Sequence, residues 1–290
     1  MTHVGERAAW VMRGRALRLD RPFVLGILNV TPDSFSDGGA FLAPDAALAH
    51  AERMVAEGAD MLDVGGESTR PQGAKAVSAV EESRRVIPVI EHVRARFPDL
   101  PISVDTVKAE VAEGGLAAGA DIVNDVSGLR LDKRMAAVCA ASGAGVIVMH
   151  SRGTVSDMST YEHAHYDRVV TEVIGELVAR VALAERAGVA ATAIAVDPGI
   201  GFSKRPEHSL ALLAHLREFA ALGYPLVLGV SRKRVVGTPG DEPAQRVDGT
   251  NAVNVLGLAA GARVFRVHDV LAARRALDVA WSVLQAGGGA

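Results

Sequence analysis

The chain has a single cysteine, Cys139, so no internal disulfide can form and a Cys-rich metal site is excluded. It also lacks a charge excess: a net charge of −3 argues against a general nucleic-acid binder or a membrane-surface protein. Long hydrophobic runs are missing. The longest strongly apolar uncharged stretch, Met135 to Met149, contains Ser and Gly and falls short of the ~20 residues needed to span a bilayer. No charged-then-apolar leader opens the sequence, so no secretory signal is expected and a cytoplasmic location is. Walker, G-x-S-x-G and H-E-x-x-H patterns are absent. Lysine is scarce: of 31 basic residues only Lys75, Lys108, Lys133, Lys204 and Lys233 are lysine. A coding bias towards arginine accounts for most of this. A site that needs a compact ammonium rather than a planar guanidinium would account for the rest.

What is present is a repeated unit. The 290 residues are 49% hydrophobic and 22% charged, enough for a sizeable core in one or two domains. Short apolar runs recur at Phe23–Leu28, Met61–Val64, Ile102–Val104, Ile122–Val123, Val146–Met149, Ile194–Val196, Leu226–Val230 and Val264–Val267. Between them lie stretches with apolar residues three and four apart, at Ala47–Glu57, Val80–Ala95, Lys108–Ala118, Asp132–Ser142, Asp167–Ala187, Glu207–Ala221, Gln245–Ala260 and Ala272–Leu284. Apolar runs of this kind between helices suit parallel strands buried on both faces. Eight such units predict an α/β (β/α)₈ barrel, a TIM barrel, with a doubly wound open sheet as the alternative. Trp10 to Asp20, with Arg13-Gly14-Arg15 inside, has hairpin character and would cover the bottom of the barrel. The expected organisation is one barrel domain over residues 1–290, with the hairpin at about 10–20 and the barrel at about 21–286.

In such a barrel the residues just past the strand C-termini face the active site. Here those positions are Asn29, Glu67-Ser68-Thr69-Arg70, Asp105, Asn124-Asp125, Met149-His150, Asp197, Ser231-Arg232-Lys233, and Arg266 with His268. Asn, Asp, Ser and Thr also serve as ordinary helix caps, and Asp125-Val126-Ser127-Gly128 reads as turn material. Cations cannot serve as N-caps. Arg70, Lys233, Arg266 and His268 would converge on one rim suited to a phosphorylated ligand. Asp105, Asn124 and Asp197, deeper in the mouth, can pair with a planar heterocycle that presents several N–H groups and a carbonyl. Thr31 to Gly39 and Glu67 to Gly73 are polar, Gly-containing loops with the character of lids or substrate clamps, or of solvated surface. His150 could orient a neighbour or be a satisfied strand-end histidine, while His163 and His165 read as solvent-facing.

These motifs resemble the dihydropteroate synthase family of pterin-binding barrels. Gly26 to Gly39 is similar to its first signature and Asp63 to Pro71 to its second. Ser103–Thr106, Ile122–Gly128, Asp197–Phe202, Ser231–Lys233 and Arg266–Asp269 follow in the family's order, so the resemblance covers roughly residues 20 to 285. It implies a transferase of folate biosynthesis, a target of sulfonamides. The reaction joins 6-hydroxymethyl-7,8-dihydropterin pyrophosphate to p-aminobenzoate, giving 7,8-dihydropteroate and pyrophosphate, usually in a homodimer.

By the same resemblance Asp105, Asn124, Met149, Asp197, Lys233 and Arg266 match pterin positions. Asn29, Arg266 and His268 match pyrophosphate contacts, with Asn29 the position near Mg²⁺. Thr69, Arg70, Pro71, Phe202, Lys233 and Arg234 would shape the p-aminobenzoate pocket, and Asp105, Lys233, Arg266 and His268 would carry catalysis. The partners implied are these small molecules, with no nucleic acid and no membrane. Lys204 follows the strand-six motif and would support it. Three departures stand out: Gln72 lengthens the second loop, Arg234 replaces a common serine, and Ser151-Arg152 follows His150. Two alternatives are a methyltetrahydrofolate:corrinoid methyltransferase, which would share the pterin site, and a non-catalytic paralogue that binds pterin or serves as an interaction protein. The two long loop motifs weigh against the first. The presence of Asn29, Arg70, Lys233 and His268 weighs against the second.

Overall fold

The computed structural model describes residues 9–30, 43–67 and 77–287; Thr69, Arg70, Pro71 and Gln72, and the polar loop 31–39, lie outside the described residues. Its first elements are two antiparallel strands, β1 (Ala9–Met12) and β2 (Arg15–Arg18). The two-residue turn between them needs positive φ at both positions, and Arg13 (49°) and Gly14 (79°) supply it. Trp10 and Met12 point away from solvent, and the Trp10 indole donates to the Ala193 carbonyl at 2.8 Å. The hairpin thereby covers the lower end of the barrel, as the sequence predicts.

Eight parallel strands follow: β3 (Phe23–Asn29), β4 (Met61–Gly65), β5 (Ile102–Asp105), β6 (Ile122–Asp125), β7 (Gly145–Met149), β8 (Ile194–Asp197), β9 (Val227–Leu228) and β10 (Val264–Val267). They hydrogen-bond in the order β8-β7-β6-β5-β4-β3-β10-β9. An open sheet would leave β8 and β9 as edges. Here a parallel bridge from Val196 to Leu226 joins those ends, with Val196 N donating to the Pro225 carbonyl at 2.9 Å. The barrel closes, and the open-sheet alternative is set aside.

The helices around it are α1 (Ala43–Ala56), α2 (Ala79–Arg96), α3 (Ala109–Ala117), α4 (Met135–Ser142), α5 (Val169–Arg186), α6 (Pro206–Ala214), α7 (Leu216–Ala220), α8 (Val247–Ala260) and α9 (Val270–Gly287). Two expectations change in detail. The helix expected over 207–221 is broken at His215, whose φ of −113° leaves the helical range. The seventh barrel strand is shorter than the apolar run Leu226–Val230. Among the described residues no helix is long and apolar enough to cross a membrane.

Strand alternation sorts the core into two layers. Val24, Leu28, Leu62, Val64, Val104, Val123 and Val148 face outward onto the helices. Leu25, Met61, Ile122, Ile147, Ala195, Val227 and Val264 face inward, packing with Trp10 and Met12 from the hairpin. Continuing the inward series towards the strand C-termini leads from Met61 to Asp63, from Ile122 to Asn124, from Ala195 to Asp197 and from Val264 to Arg266. The lower half of the barrel is hydrocarbon and the upper half is polar.

Candidate active site

The strand register builds the pit. Asp63 and Ser103 are paired neighbours, as are Asp105 and Asn124, and Met149 and Asp197. Arg266, from β10, inserts its guanidinium among them. Nε donates to Asp63 Oδ2 at 2.5 Å and Nη2 to Asp105 Oδ2 at 2.6 Å, and Asn124 Nδ2 donates to the same Asp63 oxygen at 3.0 Å. The charge sorting along the sequence puts Arg266 on the rim. The structure puts its charged end in the pit, because the buried Asp63 and the half-buried Asp105 need a cation between them. Burial works against the Arg266 charge, but Asp63 and Asp105 hold its pKa above the usual value. Burial, and then Asp63, push Asp105 up to about 8 against the pull of Arg266.

Asp63 is the residue that inspection of strand ends misses. It is fully buried, and its Oδ1 has no hydrogen-bond partner among the described residues. A carboxylate in the middle of the apolar run Met61–Val64 was the available signal.

On the opposite wall Asp197 is buried, and its Oδ1 accepts from Gly199 N at 2.7 Å. Gly199 has φ +67°, and a Cβ there would lie 1.9 Å from the His150 carbonyl, so only glycine lets this loop pack so closely. Lys233, at the start of a 3-10 turn, donates to the Ile200 carbonyl at 2.5 Å and lies 4.4 Å from the Phe202 ring centroid. Burial lowers Lys233 to about 8, with Asp197 opposing and Arg266 reinforcing the fall. Burial raises Asp197, and Lys233 opposes that rise. Met149 closes the side of the pit with Val107, Val126 and Met158, and Phe202 packs on that cluster.

The rim is more ordered by protein contacts than the sequence suggests. Ser231 Oγ accepts from His268 N at 3.1 Å and lies 2.9 Å from His268 Nδ1. Ser231 thereby holds both the backbone and the ring of His268 just past the end of β10. Arg232, at φ +59°, pairs with Asp269 through Nε at 2.8 Å and Nη2 at 2.6 Å, tying the loop after β9 to the end of β10. Asn29, half-buried at the upper end of β3, faces Gly65 in register. Arg234 is exposed.

The remaining expectations divide. Asp125 accepts from Ser127 N, Ser127 Oγ and Leu129 N, so it is the turn residue it reads as. His150 orients a neighbour, Lys204, which sits beneath the Asp197 loop. Ser151-Arg152 has a consequence the sequence does not show: Arg152 pairs with Glu172 and Glu176 and stacks on Tyr166 at 4.0 Å. Lys108 also finds a role. It joins Glu82 (2.5 Å) to Glu67 (3.0 Å), and Glu67 accepts from Val77 N at 2.6 Å, so residues 67 and 77 are held together. Asp157, Glu162 and His163 bring possible metal-ligand atoms within 4.8 Å of one another, but Asp157 is already engaged by Thr154 and His163.

Known proteins share this sequence and fold. A model of the family described as pterin binding enzyme matches residues 25–268. The chain is 43% identical over 270 residues to the dihydropteroate synthase of Bacillus subtilis, covering 93% of this chain and 91% of that protein. It superposes on the dihydropteroate synthase of Xanthomonas albilineans with 4-aminobenzoic acid at a TM-score of 0.88 and 47% identity, covering 96% of this chain and 98% of the other. The same enzyme in complex with 7,8-dihydropteroate gives 0.85 and 45%, covering 96% and 99%.

Proposed function

The chain belongs to the dihydropteroate synthases of the pterin-binding enzyme family, and from that premise we infer how its own residues perform the reaction. It condenses 6-hydroxymethyl-7,8-dihydropterin pyrophosphate with p-aminobenzoate, yielding 7,8-dihydropteroate and pyrophosphate. The observation that carries the residue roles is the pit itself. Asp105, Asn124 and Asp197 stand at the ends of three barrel strands, with Arg266 and Lys233 beside them. Asn124 and Asp197 read the polar edge of the pterin, and Lys233 donates to its acceptors. A ligand without matching N–H groups would leave buried acceptors unpaired, which makes the site selective.

The carbon–oxygen bond to pyrophosphate breaks first, and the pair of electrons leaves with pyrophosphate. The pterin methylene becomes cationic, and ionised Asp105 stabilises that charge. Arg266 swings between two tasks, neutralising Asp63 and Asp105 in the empty pit and lying against the pterin with its end towards pyrophosphate when substrate is bound. His268 donates to the leaving oxygens. The aromatic amine, neutral at pH 7, then attacks the methylene and loses a proton; it needs placement more than a strong base. Phe202 and the stem of Lys233 form the described part of its pocket, with Thr69, Arg70, Pro71 and Arg234 completing it.

The Asn29 carboxamide offers one neutral oxygen at the mouth, a donor set that fits a Mg²⁺ ion otherwise held by diphosphate and water. Bound there, Mg²⁺ would neutralise charge on the leaving pyrophosphate. The active form is a homodimer, for which α8 and α9, packed on each other, offer an apolar face: Leu256 is 68% exposed, and Val279 and Val283 are each 67% exposed. Its place is the cytoplasm, in keeping with one buried, unpaired cysteine. The experiment is pyrophosphate release from the pterin substrate, with and without p-aminobenzoate, in the presence of Mg²⁺. Release that depends on p-aminobenzoate supports the assignment. A folded protein that releases none with both substrates overturns it.

A further inference from the structure

Lys204 is 1% exposed, and among the described residues no carboxylate lies within salt-bridge distance of it. Its Nζ instead donates to the Phe202 carbonyl at 2.9 Å and the His150 carbonyl at 3.3 Å, and faces His150 Nδ1 at 2.8 Å. An ammonium can only donate, so Nδ1 is the acceptor and the imidazole proton sits on Nε2. That nitrogen meets Glu176 Oε2 at 3.0 Å, and Glu176 is held in turn by Arg152. Burial, then the nearby Lys204 charge, hold His150 neutral, down to about 3. The three groups form a line from α5 to the back of the loop after β8.

That loop carries the pterin wall. Asp197 stands at its start, the Ile200 carbonyl holds Lys233, and Phe202 packs against the Lys233 ammonium. Ser203, at φ +49°, pins its far end by donating to the Arg152 carbonyl at 2.6 Å and accepting from Arg152 N at 2.9 Å. A Cβ on Gly199 would come within 3.4 Å of Lys204 Nζ, so the ammonium touches the underside of the turn itself.

We propose that Lys204 is a positioning residue for the pterin site: oriented by His150 and Glu176, its ammonium fixes the backbone of residues 198–202 from behind and keeps a positive charge at the back of Asp197. A role in packing alone does not explain an ammonium, since a methionine would fill the space without the cost of burying a charge. Charge does explain it. Asp197 is faced by Lys233, Arg266 and Lys204, all of which oppose the upward push of burial on its carboxyl group. Burial pulls Lys204 itself well below its usual value, Lys233 and Arg180 add to the fall, and Asp197 and Glu176 oppose it, so its charge depends on the carboxylates that face it.

The inference rests on the synthase reading above, and its test separates the two. Binding of 6-hydroxymethyl-7,8-dihydropterin pyrophosphate is measured by calorimetry across the neutral pH range for the full-length wild type, Lys204→Met and Glu176→Gln. Lys204→Met is expected to weaken binding and to move its acid limb upward, each pKa unit of movement costing tenfold in affinity at pH values below the limb. The sign follows from Asp197 binding the ring in its ionised form: without the cation behind it, protonation sets in at higher pH. Glu176→Gln, at a half-buried position, is expected to shift the limb in the same direction by less, and it decides the matter if Lys204→Met does not fold. Variants that bind as the wild type does, or bind more weakly with the pH limb unmoved, overturn the proposal while the wild type still turns over. A wild type that does not bind the pterin overturns both.

Discussion

The guanidinium of Arg266 and the carboxylate of Asp105 meet inside the barrel mouth at 2.6 Å although 161 residues separate them in the chain. The same guanidinium holds Asp63 through Nε. A planar fork can satisfy two carboxylates at once, whereas an ammonium at the end of a lysine stem cannot reach both with the same geometry. Arg266→Lys is therefore expected to lower kcat/KM by about 100-fold, or ~2.7 kcal/mol of transition-state stabilisation. Steady-state pyrophosphate release measures it, and a loss of less than a few-fold would sink the role given to Arg266.

Lys233 makes the converse case. Its ammonium fits between the Ile200 carbonyl, the Phe202 ring and Asp197. Lys233→Ala is expected to cost more than about tenfold in kcat/KM, the scale of one charge-assisted hydrogen bond lost from a buried site. Near-wild-type turnover with both substrates would remove Lys233 from the site.

The two shifted groups set the pH profile of kcat/KM. Asp105 acts as an anion, and burial with Asp63 raises it to about 8, so activity should rise with pH through a limb far above the usual carboxylate range. Lys233 acts as a cation, and burial lowers it to about 8, so activity should fall above that value rather than near 10.5. The expected curve is a narrow bell. Replacing Lys233 by glutamine should flatten the basic limb while leaving the acid limb in place; a basic limb that survives the replacement would assign it elsewhere.

Below the pit, substitutions should affect stability and leave chemistry alone. Trp10 is fully buried under the barrel and donates to the Ala193 carbonyl. Trp10→Ala is expected to cost about 3–5 kcal/mol in urea denaturation, as for other large-to-small core changes. The kcat/KM of the folded fraction should stay within about twofold of wild type, a change of less than ~0.5 kcal/mol. A large catalytic loss with little change in the midpoint would mean that the hairpin reaches the chemistry.

Much of the site was legible because parallel strands place their last residues at one face. Asn29, Asp105, Asn124, Asp197 and His268 could each be read from the residue that follows an apolar run, and Lys233 from the third. Asp63 could not be read that way, since it lies two residues before the end of β4, and its only signal was a carboxylate interrupting the apolar run. Lys204 could be singled out as one of five lysines, yet its partner His150 lies 54 residues away in the chain, and Glu176, which holds His150, lies on another element again. Lys108 likewise had no reading until the chain brought Glu67 and Glu82 to it.

The amino-acid sequence by itself determined the number of β–α units, the hairpin with its glycine turn, the family and the set of polar residues at the strand ends. These depend on local patterns: alternation, helical spacing and turn chemistry act within a few residues. Tertiary structure alone decided which of two alternating residues faces inward, since that choice depends on barrel closure through Val196 and Leu226 and on strand register. It therefore decided that Leu62 packs on the helices while Asp63 enters the pit. It decided too that Arg266 leaves the rim for the space between two carboxylates. Charges interact through space, and their partners here are set by the closed barrel rather than by separation along the chain.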